Sequence, residues 1–149
     1  MDMLYRDFEE RDFSALRDMM FGLYEEDPEG LPLDDAKITK TVSEFAAHPE
    51  KIRIIMICSG ENVAGYALLV FYWSNEYGGD ILNIDELYIK KEYRSRSIAT
   101  DFVRHLMRTY NAVAAIAVEA TPSNAAAARL YNRLGFEPSQ NNHLILPRP

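Results

Sequence analysis

The element order β-α-α-β-β-β-α-β-α-β predicts an α/β protein with a central, twisted, mixed sheet of about six to seven strands and four flanking helices. Three observations set that order. Two β-branched, apolar runs at residues 52–58 and 63–73 are joined by the turn Ser59-Gly60-Glu61-Asn62, an antiparallel hairpin. A third run, residues 81–89, leads through basic and small residues into a helix whose Ile98, Phe102 and Leu106 recur every four positions. Another strand and helix follow, with residues 113–119 largely apolar and residues 124–134 rich in helix formers.

From the N-terminus, residues 3–7 read as a short edge strand. Asp12 is placed to N-cap a helix over residues 13–25, whose Phe13, Leu16, Met19, Met20, Leu23 and Tyr24 fall on one side. Asp27-Pro28-Glu29-Gly30-Leu31-Pro32 is a breaker cluster and therefore a loop. A second helix begins at Asp34 or Asp35 and ends near His48, ahead of Pro49. Gly65, inside the second hairpin strand, marks a bulge or a close backbone approach. Residues 75–80 turn the chain into the central strand, and the helix beyond that strand spans about residues 97–110. Gly135 sits where a helix closes in the left-handed conformation, with Phe136 as its hydrophobic anchor. His143-Leu144-Ile145-Leu146 reads as a final strand before Pro147. No repeat, linker or low-complexity stretch divides residues 1–149, so a single domain is expected.

Composition narrows the function. Hydrophobic residues make up 48% and charged residues 26%, ordinary for a globular domain. No apolar run approaches the roughly 20 residues of a membrane helix, and the first residues lack a signal-peptide pattern. The single cysteine, Cys58, has no internal disulfide partner, so a cytoplasmic setting is expected. Its apolar strand makes Cys58 core, and His48, His105 and His143 lack metal-ligand spacing, so no metal is expected. The net charge of −7 is uneven: residues 1–50 hold 14 acidic against 5 basic residues, the remainder 9 against 11. An acidic early part suits a cationic ligand or is simply a solvated face, and a basic later part suits an anionic one. Overall acidity argues against a nucleic-acid partner.

The segment from Arg94 to Thr100 carries the clearest chemistry. A strand that ends in small residues at a helix N-terminus leaves several backbone N–H groups unpaired at the positive end of a helix dipole, a seat for phosphate or pyrophosphate. Arg94 and Arg96 add charge, while Ser95, Ser97, Ala99 and Thr100 let a ligand approach the backbone.

Together with Asn124, Tyr131 seven residues later and Gly135-Phe136, this segment resembles the acetyl-CoA-dependent N-acetyltransferases of the GNAT superfamily. The resemblance spans essentially the whole chain, implies a GNAT fold, and makes acetyl-CoA the cosubstrate. The family's pyrophosphate loop runs Arg or Gln, two residues, Gly, one residue, then Gly or Ala. Here it reads Arg94-Ser95-Arg96-Ser97-Ile98-Ala99, with Ser97 in place of the first glycine. Serine there is strained by an order of 1 kcal/mol if φ must be positive, and harmless if the position already lies in the helix.

The resemblance also implies roles for individual residues. The backbone of Leu87, Tyr88 and Ile89 lies along the pantetheine arm, and residues Arg94, Ser95, Arg96, Ser97, Ile98, Ala99 and Thr100 hold the pyrophosphate. Asn124 bonds the pantetheine, and Arg129 reaches a phosphate or remains solvated. Ile84 to Ile89, with the Tyr77-Gly78-Gly79 segment before it, is similar to the spermidine/spermine and small-amine branch. That branch has paired carboxylates on this strand, here Asp85 and Glu86, and a Tyr-Glu pair ending the first helix, here Tyr24-Glu25.

An amine with a pKa near ~10.4 is mostly protonated at neutral pH and must lose a proton before it attacks a thioester. Glu86, with Asp85 close behind, is the candidate base or amine anchor. Successive strand residues face opposite ways, so both reach one site only if a bulge re-aims the strand. Tyr131 holds the family position for the acid that protonates the departing thiolate, and a phenol near ~10 fits that task. A primary amine such as a polyamine or diamine is the expected acceptor. A peptide or protein amine, or a non-catalytic acyl-CoA sensor on the same fold, are the alternatives. A homodimer is compatible with the family.

Overall fold

The computed structural model describes residues 2–28 and 30–149. Met1, and Glu29 of the predicted 27–32 loop, lie outside the described residues. One sheet runs in the order β1 (Met3–Asp7), β2 (Ile52–Ser59), β3 (Asn62–Ser74), β4 (Gly79–Ile89), β5 (Ala115–Val118). The first four strands are antiparallel to their neighbours, and β5 lies parallel to β4. Four α-helices complete the fold: α1 (Phe13–Glu26), α2 (Asp35–Ala47), α3 (Ile98–Thr109) and α4 (Ala125–Arg133).

Alternation along the strands sorts the side chains into two cores. Ile54, Met56 and Cys58 of β2 meet Tyr66 and Leu68 of β3 beneath Leu16, Met19, Met20 and Ile38 of α1 and α2. On the other face Ile55, Ile57, Ala67 and Leu69 pack with Phe102, Val103 and Leu106 of α3 and Tyr131 of α4. The sheet is thus covered on both sides, as the nearly continuous apolar runs in β2 and β3 require.

Two irregularities re-aim the strands. Opposite Ile57 and Cys58, Ala64 is an extra residue in β3. Next to it a Cβ on Gly65 would stand 2.3 Å from the Tyr88 carbonyl, so only glycine fits this approach. The second lies in β4: Leu68 pairs with Glu86 and Leu69 with Ile84, leaving Asp85 as the extra residue of a bulge. Its effect is visible in the core. Leu82 and Ile84 face α3 before the bulge, and Ile89, with Leu87 alongside, faces α3 after it. Parity switches at Asp85.

Several expectations need correction. The sheet has five strands among the described residues, not six to seven, because residues 143–146 form no strand. Leu144, Ile145 and Leu146 are at least 78% exposed; apolar, β-prone residues do not make a strand without a partner ladder. The run at 113–119 shortens to β5 and is half-buried. Asp12 makes no side-chain cap for α1. Its carboxylate instead accepts from the Glu9 amide at 2.8 Å and pairs with Arg6 at 2.7 and 2.9 Å, which together hold it below the usual carboxylate range. Asp34 does cap α2, accepting from the Lys37 amide at 2.8 Å.

Candidate active site

β5 follows β4 only from Ile81 to Ile84, opposite residues 115–118. Beyond that the outer edge of β4 carries no strand among the described residues. The Lys90 N–H bonds the Ala64 carbonyl at 2.8 Å, so residues 90 and 88 turn their backbone toward β3, and residues 89 and 87 turn theirs outward. The Leu87 N–H and C=O and the Ile89 N–H therefore form a strand-like edge for an extended amide-bearing ligand. The remaining outward group, the Ile89 carbonyl, accepts from Arg94 Nε at 2.8 Å.

The turn after β4 leads into α3. Ser95 and Ser97 both adopt left-handed backbone, φ 64° and 61°, and Ser97 occupies the N-cap of α3 without a side-chain cap bond. The alternative in which Ser97 is already helical is thereby excluded, and the strain is present at two serines rather than one. The first intrahelical bond runs from the Asp101 N–H to the Ser97 carbonyl at 2.9 Å. The amides of Ile98, Ala99 and Thr100 have no intrahelical partner, and left-handed turns of this kind converge successive N–H groups. The loop can seat a diphosphate through its backbone.

The arginines differ in their surroundings. Arg94 pairs with α1: its Nη2 donates to both Glu26 carboxylate oxygens at 2.9 Å and its guanidinium lies 5.3 Å from the Tyr88 ring centre. The Arg94 amide is also used, by the Lys91 carbonyl at 3.2 Å. Arg96 is exposed and stands 5.8 Å from the Tyr93 ring centre. Arg129 is exposed, with no side-chain partner among the described residues.

Glu86 faces the α1 side of β4. Tyr66, fully buried in β3, donates to its Oε1 at 2.7 Å, and Tyr24 near the end of α1 donates to Oε2 at 2.8 Å. Burial pushes the Glu86 carboxyl above its ordinary value; the two phenols pull it back and Asp85 adds to the rise. Burial, then the Glu86 charge, raises both phenols, which stay protonated donors. No cation pairs with Glu86 among the described residues. Asp85, the bulged residue, reaches solvent; partial desolvation, and then Glu119 beyond the end of β5, push its carboxyl up. Glu25, expected beside Tyr24, is exposed and bonds nothing among the described residues. The bulge therefore brings Glu86 and Tyr24 together but sends Asp85 toward the fork between β4 and β5.

α4 is fixed by its ends. Asn124 caps it, its Oδ1 accepting from the Ala127 amide at 3.1 Å, which leaves its side-chain NH2 and one Oδ1 lone pair to serve a ligand. At the other end Phe136 N–H bonds the Tyr131 carbonyl (3.0 Å) and Gly135 N–H the Asn132 carbonyl (3.1 Å), with Gly135 at φ 95°. This is a Schellman closure, completed by an edge-to-face contact of Tyr131 and Phe136 at 5.3 Å. Tyr131 is thus locked in the cluster that holds Ile89 and Ile98. Its hydroxyl has no hydrogen-bond partner among the described residues, and burial pushes it up to about 12.

Contacts that the sequence did not disclose bind these parts together. Besides Glu26 on Arg94, Asp27 accepts from Thr121 Oγ1 at 3.0 Å, so the last turn of α1 reaches β4, the loop before α3 and the loop before α4. Tyr66 was legible only as an aromatic in an apolar strand; the usable signal was that a buried tyrosine hydroxyl needs a partner. The hollow beside β1, lined by Tyr5, Asp7, Phe102, His105 and Tyr110, shares none of these residues. Cys58 is buried and its thiol raised by that burial, as befits core. No helix among the described residues is long and apolar enough to cross a membrane.

The sequence profile of the acetyltransferase (GNAT) family matches residues 6–136, and the chain belongs to that family. Among curated proteins none matches it. Similar solved structures include a possible acetyltransferase from Clostridium difficile 630, 19% identical with TM-score 0.84 over 99% of this chain and 98% of the other. A predicted acetyltransferase with acetyl-CoA from Clostridium acetobutylicum is 17% identical, TM-score 0.78, over 97% and 96%. AAC(6′)-Iy in complex with the bisubstrate analogue CoA-S-monomethyl-acetylneamine is 16% identical, TM-score 0.77, over the full length of both chains. At these identities the likeness establishes the fold.

Proposed function

We propose that the protein transfers the acetyl group of acetyl-CoA directly to a small cationic primary amine, a polyamine or diamine in chemical class. The observation that carries this reading is Glu86, an inward carboxylate held by two phenols and lacking a cation among the described residues. A protonated amine is the partner such a group needs. Burial strengthens that attraction, and a carboxyl raised by burial is a better proton acceptor.

In this reading the loop amides from 95 to 100 hold the diphosphate, and the outward backbone of Leu87 and Ile89 aligns the pantetheine. Glu86 takes the proton from the bound ammonium. The freed lone pair attacks the acetyl carbonyl carbon, with a β4 backbone N–H supporting the developing oxyanion. The C–S bond then breaks as Tyr131 gives its phenolic proton to the departing sulfur, and the resulting phenolate takes up the second proton that the attacking nitrogen must lose to become the neutral amide. The raised pKa of Tyr131 keeps its phenolic proton available at neutral pH. Asp85 with Glu119 at the fork gives a second anionic point for a second ammonium, the feature that favours diamines.

Thiol release from acetyl-CoA with a panel of amines tests this. Diamines should outpace neutral nucleophiles, Glu86→Gln should lower kcat/KM at least a hundredfold, and Tyr131→Phe should lower kcat about tenfold. Cofactor binding with no turnover on any amine would overturn the reading in favour of a sensor.

A further inference from the structure

We propose that Tyr66 and Tyr24 are positioning residues that clamp Glu86 from β3 and α1, fixing the direction of its free lone pairs and keeping it ionised. The inference rests on reading Glu86 as the proton acceptor. It stands on the geometry: each carboxylate oxygen receives one phenolic O–H, at 2.7 Å from Tyr66 and 2.8 Å from Tyr24, from opposite elements. A carboxylate has about four lone-pair positions, so one on each oxygen remains for an amine N–H. Both remaining positions are set once the two phenols are set.

The clamp is itself rigid. Tyr66 is wholly buried, packed in one cluster with Met56, Cys58 and Leu68. It sits 6.3 Å from the Tyr88 ring, whose hydroxyl end occupies the space that a Cβ on Gly22 would fill. Tyr24 is tied through the last turn of α1 to Arg94 by Glu26 and to Thr121 by Asp27. The titratable groups facing Glu86 are Tyr66 from β3, Tyr24 from α1 and Asp85 beside it on β4; the nearby Arg94 is engaged by Glu26. Neutral donors, not a cation, therefore hold the charge. A fixed cation would quench the site for an ammonium, whereas phenols stabilise the anion and leave its charge to the acceptor.

Removing one donor to the ionised form raises the carboxyl pKa, so more of Glu86 is protonated at a given pH. The acidic limb of kcat/KM must then move upward. In Tyr66→Phe it should rise by about one pH unit, with a roughly tenfold loss at low pH that recovers as pH increases. Tyr24→Phe, whose ring is only half-buried, should shift the same limb by less and serves where Tyr66→Phe folds poorly. The carboxyl resonance of Glu86, followed by 13C NMR across pH in wild type and both variants, should show the same order without any turnover. An unmoved carboxyl titration in both variants overturns the clamp. Full activity of Glu86→Gln would instead sink the base assignment, while the NMR titration would still decide whether the phenols hold the carboxylate.

Discussion

The two halves of β4 are built for opposite purposes. From Ile81 to Ile84 the strand is paired on both sides, to β3 and to β5, and Ile81, Leu82 and Ile84 are buried. From the bulged Asp85 to Ile89 only β3 lies beside it, its side chains include two carboxylates and a tyrosine, and its outer backbone is open apart from the Ile89 carbonyl, which accepts from Arg94. Five residues of unpaired edge would ordinarily invite aggregation. In this fold the bulge at Asp85 separates the halves, so one strand both anchors the sheet and presents an open edge.

Substitutions can break that contrast. The largest effect should come from the doubly paired half. Leu82, fully buried between β3, β5 and α3, should cost about 3 kcal/mol on truncation to alanine, read as a lower urea midpoint with unchanged slope. Folded Leu82→Ala should keep its kcat/KM within about twofold, because nothing on the open half is touched. A tenfold loss in the folded variant would mean that the halves are not separable. A smaller effect, opposite in sign, is expected next to the open half. Ser97→Gly relieves a left-handed serine at φ 61° and should gain up to about 1 kcal/mol, seen as a higher melting temperature, with acetyl-CoA binding retained. Lost stability would mean that the serine side chain supports the turn.

The same division marks what the sequence could disclose. The framework was legible because burial writes itself into spacing: the hairpin of β2 and β3, the Ile98-Phe102-Leu106 stripe of α3, and the Gly135-Phe136 closure of α4 all lie where periodicity and turn chemistry place them. Asp85 and Glu86 were legible as a pair, but their division was not. That depends on which β3 residue each one meets, a long-range register that local pattern does not encode. The Arg94–Glu26 pair was hidden for a related reason: Arg94 is adjacent to the loop, while Glu26 lies on α1. The apolar triplet at residues 144–146 has strand composition but no ladder, so propensity alone misled.

We propose that the open half of β4 and the turn after it form the acetyl-CoA seat. Amide hydrogen exchange, resolved by NMR with and without saturating acetyl-CoA, tests it most directly. New protection is expected at Leu87, Ile89 and the amides of Ser95 to Thr100, with little change at residues 81–84, which are already paired. Protection gathered elsewhere, with those amides still exchanging freely, would contradict it.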